Sequence, residues 1–178
     1  MVLRCTGKLL ALLGGRAVAL SEPPASDDDW YANLLWVDRR KCLLLAHAGT
    51  LFPVFVAAIR KAELRPLGVY LVERVEAELR SEGLAPDSLG RLDPDGVQLA
   101  KTASRSILGF MNEMAVHCDY AVADAGGLSG CDVGALNHRL RRTLHNRGGD
   151  YVSPLELVAQ RLGREHWERG PPAPRLIR

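Results

Sequence analysis

The chain has 178 residues, of which 47% are hydrophobic and 25% charged, and a formal net charge of +2. That length buries a core without disulfides or metals, and the composition is that of an ordinary globular protein. A charge so near zero excludes a global field for nucleic acid or membrane, so any such contact has to be local.

Val2–Cys5 reads as a short strand, followed by a brief helix through Leu13 that Thr6 is placed to cap and Gly14-Gly15 to end. This start imitates a signal peptide, but Gly14, Gly15 and Arg16 cut its apolar run short. No stretch reaches the ~18 apolar residues that span a bilayer. Residues 21–29, SEPPASDDD, form an exposed connection. Next comes a hairpin, Trp30–Val37 and Cys42–Ala48, joined by a four-residue loop with a basic tip. Both arms are apolar on both faces, which places them centrally in a sheet, covered on each side. In that register Asn33 and His47 fall on opposite faces, which argues against a dyad built from the two.

Thr50 is placed to cap a helix through Phe52, Phe55, Val56 and Ile59. Pro66 opens a stronger one, with Leu67, Tyr70, Leu71, Val75 and Leu79 inward and Glu73, Arg74, Glu76, Glu78 and Arg80 facing water. Asp93-Pro94-Asp95-Gly96 is a turn and Val97–Lys101 a strand. Thr102 or Ser104 caps the next helix, to about Cys118, with Ile107, Leu108, Met111, Met114 and Ala115 as its core stripe. Residues 133–146 read as helix, Gly148-Gly149 as a break, and Pro154 as the start of a last helix. The expected fold is α+β: a small, mostly antiparallel sheet of about four strands around the hairpin, covered by helices. Residues 1–160 form one domain, with a basic helical part over 133–165 and a disordered tail over 166–178.

The four cysteines, Cys5, Cys42, Cys118 and Cys131, show no CxxC or Cys/His pattern, so they read as reduced thiols of a cytoplasmic protein with no metal site. No motif calls for a cofactor.

Three motifs carry a resemblance: Arg4-Cys5-Thr6 with Lys8-Leu9-Leu10, Trp30-Tyr31-Ala32-Asn33-Leu34-Leu35 with the basic turn, and Thr102-Ala103-Ser104-Arg105-Ser106. Over roughly residues 1–118 the chain resembles an uncharacterised bacterial family, a domain of unknown function. Similar domains occur beside modules of mobile-element open reading frames, which implies a link to mobile DNA. The resemblance brings no catalytic residues.

Two local patterns suggest function. Asn137–Arg147 carries four arginines, two histidines and no acid, so Arg139, Arg141, Arg142 and Arg147 suggest a basic helical surface, with Leu136, Leu140 and Leu144 inward. Arg39, Arg40 and Lys41 add auxiliary contacts. The leading expectation is a non-enzymatic binding or regulatory module for nucleic acid or an acidic, nucleic-acid-associated partner. The second pattern is a pair of strand-to-helix junctions, with Arg4, Thr6 and Lys8 at one and Lys101, Thr102, Ser104 and Arg105 at the other. Free N–H groups at helix starts favour anions. The alternative is therefore a small enzyme or ligand-binding protein for a phosphorylated or carboxylated molecule. A third reading is a protein-interaction module that forms a homo-oligomer through apolar hairpin surface. Glu113 and His117 share a helix face at i,i+4. Ser106 lacks a nucleophile elbow, and no reaction is assigned.

Overall fold

A computed structural model describes residues 1–14, 20, 22–164 and 167. The elements are β1 (Val2–Cys5), α1 (Gly7–Leu13), β2 (Trp30–Val37), β3 (Arg40–His47), β4 (Pro53–Val56), α2 (Leu67–Ser81), β5 (Gln98–Lys101), α3 (Arg105–Asp124), α4 (Val133–Leu140), β6 (His145–Arg147), β7 (Asp150–Val152) and α5 (Pro154–Arg161). A single 3-10 turn, Lys61–Leu64, precedes α2.

The α+β class stands, and the sheet is corrected. It has five strands in the order β4-β3-β2-β1-β5, with a separate β6–β7 hairpin. It is mixed: β1 runs parallel to both β2 and β5, while β2–β3 and β3–β4 are antiparallel. The connection that contains α1 carries the chain back across the sheet, so β2 starts beside β1 in the same direction. Sequence periodicity does not reveal that direction.

Alternation within β2 and β3 divides the core. Leu3, Cys5, Trp30, Ala32, Leu34, Leu43 and Leu45 pack on one side with Leu9 of α1, Leu71, Val75 and Leu79 of α2, and Leu155 and Val158 of α5. Tyr31, Val37, Cys42, Leu44, Ala46 and Phe55 pack on the other with Ile107, Phe110, Met111, Met114 and Cys118 of α3 and Leu136 and Leu140 of α4. The hairpin is thus covered on both faces, as its doubly apolar arms require.

Three local expectations are overturned. The 50–59 segment contains β4 rather than a helix; a short apolar run is ambiguous by period, and Pro53 opens an edge strand, where a missing N–H costs no ladder bond. The Thr50 hydroxyl, placed by the sequence to cap that helix, is bonded to His47 instead, its Oγ1 lying 3.0 Å from Nδ1. The β2–β3 loop has two residues, since Val37 pairs with Arg40 and Leu35 with Cys42. Asp38 and Arg39 take φ of 47° and 57°, the pattern of a type I′ turn. The shift is by two residues, so Asn33 and His47 remain on opposite faces. Finally, α4 stops at Leu140, and the chain then makes the β6–β7 hairpin over Gly148 and Gly149, at φ of 68° and 107°.

The 166–178 tail, apart from Trp167, lies outside the described residues, as does the side chain of Arg147.

Candidate functional site

The two strand-to-helix junctions begin side by side, because Cys5 is the register partner of Lys101 across parallel β1 and β5. From there the helices part, α1 to one face of the sheet and α3 to the other. Open α/β sheets bind ligands at such a divergence, beyond the carboxyl ends of the strands.

The side chains of the first junction are turned to internal work. Arg4 is buried, and its Nε donates to Asp29 Oδ2 at 2.5 Å. Its Nη2 donates to the carbonyls of Pro23 and Pro24 at 2.9 Å, and its Nη1 to that of Lys101 at 3.3 Å. The guanidinium thereby pins the acidic 22–29 connection to the sheet. The Thr6 hydroxyl donates to Asn33 Oδ1 at 3.0 Å rather than capping α1. That bond satisfies an amide which would otherwise cost ~1–3 kcal/mol in an apolar strand. Lys8 is exposed.

The second junction opens on a cleft of about 610 Å³ between the 25–27 segment, the β3–β4 turn, the start of α3 and the β6–β7 hairpin. Ser104 caps α3, its Oγ accepting from Ile107 N at 3.4 Å and lying 2.9 Å from Ser106 Oγ. The next helical N–H groups, of Arg105 and Ser106, precede any intrahelical acceptor. Tyr31, Ser104, Ser106, Glu113 and His145 all line the cleft. Burial pushes the Tyr31 phenol up, while nearby Arg4 and the Ala103 and Ser104 amides pull the other way; it stays a neutral hydroxyl. Lys101 and Arg105 are exposed and Thr102 is half-buried.

Glu113 pairs with His145, not with His117: the His145 Nδ1 lies 3.0 Å from Glu113 Oε2, and His117 is exposed. His145 is only 4% exposed, its ring meets Phe110 edge-on at 4.6 Å, and its Nε2 is buried with no hydrogen-bond partner among the described residues. Sequence reasoning missed this residue because the β6–β7 hairpin that delivers it was read as the end of a helix. The Gly148-Gly149 pair was the available signal.

The arginine-rich helix is corrected as a basic surface. Arg141 is completely buried. It pairs with Glu78, donates to Glu82 Oε1 at 2.9 Å and Ser81 Oγ at 3.2 Å, and lies 4.6 Å from the Phe52 ring centre. Arg142 donates to Glu82 Oε1 at 3.1 Å and Oε2 at 2.9 Å. Burial pushes the Glu82 carboxyl up, and the hydrogen bonds from Arg142 and Arg141 outweigh it, so the group sits below its ordinary value. Asn137, also buried, donates to Phe55 O at 2.9 Å and accepts from Phe55 N at 2.7 Å, closing the open edge of β4. Of this segment Arg139 is exposed, and so is Leu144, which was expected inside.

The hairpin tip is left to solvent. Arg39 and Arg40 are exposed, Lys41 is half-buried, and Lys41 Nζ lies 5.5 Å from the ring centre of the exposed Trp36.

The deepest thiols and the buried imidazole of His47 are held toward their neutral forms. Burial pushes the Cys5 and Cys118 thiols up to about 12, and burial with nearby Arg161 lowers His47 to about 4. Among the described residues no group of three His, Cys, Asp or Glu is placed to hold a metal, and no helix is long and apolar enough to cross a membrane.

No curated protein and no solved structure matches the chain. A family model described as a domain of unknown function matches residues 2–157, which include both junctions, the hairpin tip and the cleft, and the chain therefore belongs to that family, DUF6933.

Proposed function

We propose that this domain binds a small polar molecule carrying a carboxylate or phosphate, held in the cleft at the start of α3. The observation that carries the reading is the meeting of Ser104, Ser106 and His145 on one cleft, with the buried Nε2 of His145 lacking a partner among the described residues. The first turn of α3 supplies N–H donors, a helix-dipole field and two hydroxyls, a combination that suits an anionic group. Asp27 and Glu113 also line the cleft. They would repel a polyphosphate chain, so a small anion fits, one whose own hydroxyl or amino groups donate to these carboxylates, as protonated inorganic phosphate can. This narrows a two-junction anion site to one, because Arg4 and Thr6 are bonded internally.

Inorganic phosphate and small hydroxy- and aminocarboxylates are the probes. A ligand that binds only the folded state raises the melting temperature with concentration. The discriminating variant is Ser106→Asp: an acid in the first turn favours the helix while filling the anion position with like charge. Retained folding with loss of the ligand-induced shift supports the site. An unchanged shift in Ser106→Asp, or no shift with any of these probes, counts against it.

A further inference from the structure

The basic turn that marks the hairpin remains unused by the cleft, and the fold gives it a companion that the sequence did not single out. Trp36 is 61% exposed on β2, one residue from the turn. Its cross-strand partner Lys41 lies against the ring. Arg60 arrives from the segment after β4, where Ile59 N donates to Lys41 O at 2.8 Å. Together with Arg39 and Arg40 these residues line one shallow depression of about 240 Å³.

Two acids at this end, Glu63 and Asp38, are already engaged. Glu63 takes two hydrogen bonds from the Arg60 guanidinium, at 2.6 and 2.8 Å, so Arg60 is the most neutralised of the four cations. Asp38 accepts from Leu128 N at 3.0 Å, tying the turn to the loop after α3. Arg39, Arg40 and Lys41 form no ion pair within 4.0 Å among the described residues. Arg39 also holds a positive φ, 57°, where Gly or Asn is the residue a type I′ turn favours. A long cationic side chain kept at a strained, solvated position is a mark of use rather than of folding.

We propose that the tip of the β2–β3 hairpin binds single-stranded nucleic acid, Trp36 stacking on an unpaired base while Arg39, Arg40, Lys41 and Arg60 meet the flanking phosphates. A flat aromatic ring ringed by cations matches alternating base faces and phosphates. A duplex hides its base faces. An acidic peptide satisfies the cations and offers nothing to the ring. Insertion into a bilayer would drag the surrounding guanidiniums into the apolar phase. This surface is separate from the α3 cleft and stands or falls without it.

The test is fluorescence anisotropy with labelled oligo(U) and oligo(dT), starting at low salt. Binding of either oligonucleotide that weakens steeply with salt is expected. Trp36→Ala should weaken it about tenfold, within the range for loss of one stacked base. Its melting temperature should not move, because the ring is exposed, and Trp36→Phe should restore most of the affinity. Arg40→Ala should lower the slope of log K against log salt by about 0.7, one phosphate contact on a single strand. No binding of either oligonucleotide at low salt overturns the proposal. So does affinity unchanged in Trp36→Ala, or equal competition by polyglutamate or by anionic lipid vesicles.

Discussion

Two basic runs, Arg39-Arg40-Lys41 and Arg139 to Arg142, look alike in the sequence and have opposite fates in the fold. The first stands at a two-residue turn with no acid paired to it among the described residues. The second is drawn inward by Glu78 on α2 and Glu82 just after it, which meet Arg141 and Arg142, the residues that follow α4. The lesson is that a run of cations predicts a surface only when no distant segment brings matching acids to it. Here one of the acids, Glu78, comes from the flank of α2 that the helical pattern assigned to water. Glu82 is 2% exposed and Arg141 is fully buried, so neither charge can be left alone. Arg139, in the last turn of α4, is exposed and escapes.

The largest test of that contrast is Arg141→Ala. Removing one partner of a buried pair leaves an uncompensated charge, and a loss of about 3–5 kcal/mol is expected in urea unfolding. Arg139→Ala, at an exposed site, should stay within about 0.5 kcal/mol. Equal, small effects at the two positions would erase the distinction between inward and outward arginines.

Acid titration sharpens it further. The folded Glu82 carboxyl is held below its ordinary value of 4.5. A depressed folded pKa gives stability that is fully present above the unfolded value and lost as pH falls through the folded one. Stability should therefore decline below about pH 4.5, and the decline should be shallower in Glu82→Gln than in the parent. The effect expected at the tip is smaller than at Arg141 and opposite in sign: Arg39→Gly relieves a left-handed residue and should raise stability by about 1 kcal/mol, measured by urea melts. A stability loss there would mean that Arg39 supports the fold, and the contrast with Arg141 would fail.

Much of the architecture is legible in the residues. Val2–Cys5, the hairpin arms, Pro66 at the head of α2 and Ser104 at the head of α3 are local signals, and local physics decides them. What stayed hidden is non-local. The parallel partners of β1 depend on where the connection through α1 returns the chain. Phe52 to Val56 is too short for its period to separate strand from helix, and the neighbouring β3 edge decides. The candidate cleft was half visible: Ser104 and the junction were legible, but Glu113 found His145 rather than the nearby His117. An i,i+4 partner is visible in sequence; a partner on a distant hairpin is not.

Phosphate titration of ¹⁵N-labelled protein, followed by amide chemical shifts, bears most directly on the proposed cleft. Saturable movement of the Arg105 and Ser106 amides, with His145 moving in parallel and the Thr6–Lys8 amides still, is the expected result. Amides at Arg105, Ser106 and His145 that stay fixed while phosphate perturbs only other parts of the surface would contradict it.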